Sequence, residues 1–247
     1  MNTDLFIRTY TKDAKWLVYC LRSVEKFAQG FRQTVVVCGE NDASVIGPIV
    51  RDCPGAVLKL DKPSGNGYAD QLTSKLSCDK YTDADYFLHI DDDCVLTHVT
   101  KPGTHMTGGK ADVWYDFYEG PSIKGCLGAY NRKPETERAL GVPNIEVETT
   151  RRFPFIYPRW LYAETQKQIE KAHGTSFREY ILKNSGPFSE FNALGALAYY
   201  RFPDKYCLRP MSDYTKKPPG LLQFWSHSGL TPGEESVLQQ ITAGYRA

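Results

Sequence analysis

Val35-Val36-Val37-Cys38 follows Thr34 as a continuous apolar run with no polar residue alternating through it. β-branched residues favour extended backbone, and a strand without alternation has no face to offer to water. Such a strand is covered on both faces, which points to a parallel sheet flanked by helices. The neighbouring sequence agrees. Leu5 to Tyr10, Ala56 to Leu60 and Asp85 to Ile90 read as three further short strands.

The segments between them have helical period. Apolar residues at 17, 20, 21, 24, 27 and 28 predict an amphipathic helix over 13–29, with Gly30 as its C-cap. A short helix is expected over 43–52, interrupted near Gly47-Pro48, and another over 68–79 with Leu72 and Leu76 on one face. Strands alternating with helices describe a doubly wound α/β half. Beyond residue 100 the pattern loosens, and residues 101–160 show little clear periodicity. Helices are expected over 159–173, 175–183 and 188–200, a break at 216–220, and a final helix opening at Pro232. The 247 residues suit one domain, with 1–100 as its first half and 101–247 as a second lobe.

Composition narrows the class. Thirty Lys and Arg against 29 Asp and Glu exclude a strongly basic nucleic-acid coat and an acidic disordered tail. No apolar run approaches the roughly 20 residues that span a bilayer, and Met1-Asn2-Thr3-Asp4-Leu5 lacks the basic-then-apolar pattern of a secretory signal. The seven cysteines are scattered and never spaced C-x-x-C. Free buried thiols in a reducing cytoplasm are expected, rather than a disulfide framework or a zinc site.

The chemistry concentrates where the fourth strand runs into Asp91-Asp92-Asp93. Ligands of open α/β sheets bind beyond the carboxyl ends of the strands. In an extended segment Asp91 and Asp93 would project to the same side, placing two carboxylates on one ion. An oxygen-only donor set selects a hard divalent cation such as Mg²⁺ or Mn²⁺. The EF-hand spacing of a calcium loop is absent.

A strand ending in D-x-D, behind an α/β half that opens Ile7-Arg8-Thr9-Tyr10 and then Asp13, resembles the GT-A glycosyltransferases, in particular their small bacterial and phage members. The resemblance implies a GT-A, Rossmann-like fold with a mostly parallel sheet flanked by helices and an acceptor lobe in the C-terminal half. It also implies a nucleotide-sugar donor, UDP being the commonest, and a divalent metal held by Asp91 and Asp93. Gln71 and Lys75, four apart on one helix face, look like the donor-side polar pair of that fold. Ser189-Glu190-Phe191 resembles its acceptor-facing segment, where Glu190 would act as general base beside Asp93. Without the resemblance, Ser189 and Glu190 read as a helix cap and a first-turn acid. His227, between Trp225 and Gly229, resembles the histidine returned to the metal by the C-terminal segment.

Thr9, Tyr10, Asp13 and Glu40, at the ends of the first two strands, are placed to hold the nucleotide, with Asp91 and Asp92 facing the donor. The Gly-bearing loop 62–67 reads either as a donor-closing lid or as a plain connection. The resemblance also implies a hydroxyl-bearing acceptor. Aromatics crowd the second half (Trp114, Tyr115, Phe117, Tyr118, Phe153, Phe155, Tyr157, Trp160), and Arg151, Arg152, Arg159, Lys216 and Lys217 could form a phosphate-contacting surface. Such a surface would suit a hydroxymethylated base in DNA, while the same rings suit a surface glycan. Two other classes stay open: a nucleotidyltransferase, disfavoured because residues 8–16 contain no glycine, and a non-catalytic glycan-binding module.

Overall fold

The structure, a computed structural model, describes residues 2–121, 123, 127–150, 153–216, 220–226 and 229–244. Its centre is a five-stranded sheet of β1 (Thr3–Arg8), β2 (Thr34–Gly39), β3 (Ala56–Asp61), β4 (Tyr86–His89) and a later strand, β9 (Phe155–Pro158). The order is β3-β2-β1-β4-β9, with the first four parallel and β9 antiparallel to β4. The chain is therefore α/β with a mostly parallel, helix-flanked sheet, and its first four strands follow the 3-2-1-4 order shared by Rossmann-like folds. Every residue of β1 and β2 is buried, as the unalternating Val35–Cys38 run requires.

α1 (Ala14–Phe27) and α2 (Ala43–Arg51) cross over from β1 to β2 and from β2 to β3, and α3 (Gly67–Leu76) returns from β3 to β4. Right-handed crossovers put α1 and α2 on one face and α3 on the other. Accordingly α1 packs against α2 and α8 (Pro232–Thr242), whereas α3 packs against α6 (Phe177–Asn184) and α7 (Glu190–Arg201).

Three boundaries differ from the sequence reading. Gly30 is not the cap of α1: Ala28 turns extended and bridges to Thr100, so the helix stops first and Gly30 takes a positive φ beyond it. α2 runs unbroken through Pro48, because Ile46, Gly47 and Val50 are buried and hold it on the sheet. The helix expected over 68–79 ends at Leu76, where the Ser77 N–H bonds back to Thr73 and Ser74 before a separate 3-10 turn at Cys78–Lys80.

The second half contains more structure than its sequence announced. β5 (Cys94–Leu96) pairs with β11 (Leu221–Gln223), and β7 (Lys110–Phe117) pairs with β6 (Met106–Thr107), β8 (Val147–Glu148) and β10 (Tyr206–Pro210). α4 (Leu127–Leu140) follows β7, and α5 (Arg159–His173) occupies the predicted 159–173 range. The missed β7 does carry a period-two signal, Ala111, Val113, Tyr115 and Phe117 alternating with Asp112 and Asp116. No described helix is long and apolar enough to cross a membrane. The six described cysteines are free thiols, five of them buried.

Candidate active site

In the sheet, β2 and β3 extend to one side of β1 while β4 lies on the other, so the strand order reverses between β1 and β4. Crevices at such a reversal, beyond the carboxyl ends of the strands, are where α/β sheets bind ligands. A cavity of about 570 Å³ opens there. Thr9, Tyr10 and Asp13 enter it after β1, Gly39, Asn41 and Asp42 at the end of β2, and Asp91, Asp92 and Asp93 after β4. Pro63, Gly65, Gly67, Tyr68, Asp70 and Gln71 close one side, and Gln223, Trp225 and Ser226 come from the C-terminal segment.

The structure thus gathers Thr9, Tyr10, Asp13, Gln71 and all three residues of the acidic triplet around one space. Glu40 does not line it; it is exposed in a 3-10 turn, and its neighbours Asn41 and Asp42 face the cavity instead. His227, Arg151, Arg152 and Lys217 lie outside the described residues. Lys216 ends a 3-10 turn at Met211–Lys216. Arg159 opens α5 at the amino end of β4, the far end of that strand from the cavity, with its backbone N–H on the Asp85 carbonyl.

Asp91–Asp93 is not extended as expected. The chain turns after His89, the Cys94 N–H donating to the Asp91 carbonyl at 3.0 Å, and the three carboxylates meet different partners. Asp91 Oδ1 lies 2.6 Å from Lys75 Nζ. Asp93 Oδ2 accepts from the Ser226 backbone N–H at 3.2 Å. Asp92 is 6% exposed, and its Oδ2 has no hydrogen-bond partner among the described residues.

Crowding Asp92 and Asp93 out of water disfavours their ionised forms. Burial, then the charge of Asp13, holds Asp92 well above the usual carboxylate range, with Thr9 offsetting part of the shift. Burial and Asp91 push Asp93 up to about 7, against the opposing Ser226 N–H. Tyr10 is raised by its own burial and by Asp13 and Asp92. Among the described residues the cavity wall is therefore electron-rich and short of positive charge, Arg8 being the one Lys or Arg lining it.

No three carboxylate, imidazole or thiol groups among the described residues converge closely enough to hold an ion by themselves. Mg²⁺ usually takes only one or two carboxylates and completes its shell with waters and substrate phosphates. A carboxylate cluster that includes a buried Asp92 Oδ2 with no hydrogen-bond partner among the described residues fits such an ion, with Asp91 and Asp93 as the flanking donors.

Lys75 and Glu190 sit behind this cavity rather than in its lining. Lys75 is buried on α3 and bridges Asp91 and Glu190, the second at 3.4 Å. Burial pushes its ammonium toward neutrality, and Asp91 and Glu190 outweigh that, leaving the value raised. Glu190 opens α7 behind its N-cap Ser189, whose side chain accepts from the Asn192 N–H. Burial raises Glu190, and Lys75 works in the opposite direction. Tyr68, which lines the cavity, feels the charge of Glu190 and so marks the boundary between the two groups.

Several aromatics read as a binding surface are core. Tyr118 and Tyr157 are buried, and Phe155 stacks on Phe191 with centroids 4.3 Å apart. The sequence reading missed Arg8, Asp42, Asp70 and Ser226 as parts of the cavity. Arg8 and Asp42 had a legible signal, standing at the carboxyl ends of predicted strands, whereas Ser226 had none. No protein-family model matches the chain, and no curated protein matches it.

Proposed function

We propose that this chain is a metal-dependent glycosyltransferase of the GT-A type, moving a sugar from a nucleotide-sugar, first a UDP-sugar, to a hydroxyl acceptor. One observation carries the reading: a 570 Å³ cavity at the strand-order reversal, walled by Asp13 and Asp91–Asp93. Carboxylates in that position repel a nucleotide diphosphate unless a cation stands between them, and they are the donors a hard divalent ion selects.

A bound ion would neutralise charge on the departing diphosphate. The residues of the chain have the remaining tasks. Thr9, Tyr10 and Asn41 border the end of the cavity suited to a nucleoside. Asp91 and Asp93 would hold that ion, and the loop carrying Pro63, Gly65 and Tyr68 keeps water from the anomeric carbon. Glu190 accepts the proton of the acceptor hydroxyl, the acceptor reaching it past Tyr68 at the edge of the cavity, as the new glycosidic bond forms and the sugar–phosphate bond breaks. A hydroxymethylated DNA base and a glycan are the two acceptors to try.

The test is a panel of nucleotide-sugars with Mn²⁺, reading release of nucleoside diphosphate by slow hydrolysis. Turnover of one donor, lost in the Asp91→Ala/Asp93→Ala double variant, is the expected result. Full turnover in the double variant overturns the mechanism. Pyrophosphate release from a nucleoside triphosphate and sugar phosphate would assign nucleotidyl transfer instead.

A further inference from the structure

Lys75 is a lysine held out of water between two carboxylates that belong to different parts of the site. Its side chain is 4% exposed, its Nζ lies 2.6 Å from Asp91 Oδ1 and 3.4 Å from Glu190 Oε1, and the Phe191 and Phe153 rings stand 5.3 and 5.9 Å away. Taking an ammonium and two carboxylates out of water is costly, and an apolar trio of similar volume often packs as well or better. His89, the neighbouring buried base, turns its Nε2 to the Tyr162 hydroxyl at 2.6 Å rather than to either acid. Among the described residues, one ammonium therefore serves both acids.

We propose that Lys75 is a positioning residue whose ammonium sets the affinity of the Asp91–Asp93 turn for a divalent cation and links that affinity to the charge on Glu190. The proposal rests on the metal-binding part of the function given above. A divalent ion that engages Asp91 competes with Lys75 for the same carboxylate, and the two cations repel each other at short range in a poorly hydrated setting. As Asp91 turns toward the ion, Glu190 becomes the main partner of Lys75. Occupancy of the donor side is thereby felt at the residue assigned to the acceptor proton.

Mn²⁺ binding to the full chain, measured by titration calorimetry without any sugar donor, tests this through effects of opposite sign. Lys75→Met keeps the apolar stem among the rings and removes the charge, so Mn²⁺ should bind about tenfold more tightly. Glu190→Gln leaves Lys75 with Asp91 alone, so Mn²⁺ should bind roughly threefold more weakly. Lys75→Arg keeps the charge and should stay within about twofold of wild type. Because Lys75→Met leaves two buried acids unpaired, the Lys75→Met/Glu190→Gln double variant is the safeguard: it retains a balanced core and should still show the tighter binding.

Weaker or unchanged Mn²⁺ affinity in the Met variants overturns the proposal, because loosening of the site alone would act in that direction. So does the absence of Mn²⁺ binding in both wild type and double variant. A chain that turns over no nucleotide-sugar while showing these shifts would remove the glycosyltransferase reading and leave the role of Lys75 standing.

Discussion

The backbone N–H of Ser226 donates to Oδ2 of Asp93 at 3.2 Å, joining positions 133 residues apart. With the Phe224 N–H on the Asp93 carbonyl at 2.9 Å, it pins the C-terminal segment to the acidic turn. It also supplies a donor to a carboxyl that burial and Asp91 have lifted to about 7.

Asp93 thus takes up a proton on folding between its unfolded value, about 4, and the folded value of about 7. Where the folded state binds more protons, stability falls as pH rises. The contribution of Asp93 is most favourable at the acid end of that window and lost by about pH 7, a change on the order of 2–4 kcal/mol. Asp92, raised by burial and Asp13, acts in the same direction. Urea unfolding of wild type and Asp93→Asn, compared from about pH 4 to pH 8, isolates the effect. The variant should gain stability relative to wild type as pH rises; a pH-independent difference would contradict the assignment.

Asn192 is fully buried and fills its hydrogen-bonding capacity across three elements. It accepts from the Thr149 N–H at 2.9 Å and donates to Tyr118 Oη at 2.9 Å and Thr136 Oγ1 at 2.8 Å. Asn192→Ala removes all three bonds from the core, the Thr149 N–H losing its acceptor, and should lower the unfolding free energy by about 3 kcal/mol. Chemical denaturation measures this, and a loss below about 1 kcal/mol would show that the partners re-pair.

Gly195 leaves no room for a side chain. A Cβ there would collide with Oγ1, Cβ and Cγ2 of Thr149, inside any tolerable contact. Gly195→Ala should cost about 1–3 kcal/mol by forcing α7 away from the residue after β8, seen as a lower melting temperature.

Arg178 on α6 straps down the loop beside the cavity. It donates to the Lys62 carbonyl at 2.8 Å and lies 3.6 and 3.7 Å from the carboxylates of Asp61 and Asp70, while Asp70 accepts from the Ser64 N–H. The guanidinium is partly exposed, so Arg178→Met should change global stability by less than about 1 kcal/mol. Amide exchange at residues 64–66 should nonetheless quicken. Unchanged exchange there would mean that Asp70 holds the loop alone.

Local signals in the sequence carried the first half well, because each depends on neighbours in the chain. The Val35–Cys38 run is legible as a doubly covered strand wherever it lies, and Asp91–Asp93 after β4 is legible as lining the crevice at the carboxyl ends of the strands once the alternation is seen. The conformation of that triplet was not legible. Its turn is set by Lys75 and Ser226, which approach from α3 and from the C-terminal segment, and no local pattern encodes those approaches. Lys75 shows the same limit: helical spacing placed it on a face with Gln71, but only the packing of α7 on α3 brings Glu190 to its ammonium. β7 was lost for a different reason, since Trp114 interrupts the polar side of an otherwise alternating strand.

β9 completes the central sheet antiparallel to β4, and it is translated long after the strand it covers. During synthesis, β4 therefore waits with one edge open, its Phe87 and Leu88 lacking the partners Tyr157 and Ile156. Unpaired edges of this kind invite pairing with other chains. A fragment ending near residue 100 would carry the acidic turn and most of the cavity wall, yet present a sticky sheet margin. The later half of the chain therefore acts as the closing seam of the earlier half, and the cavity is secured only after that seam is made.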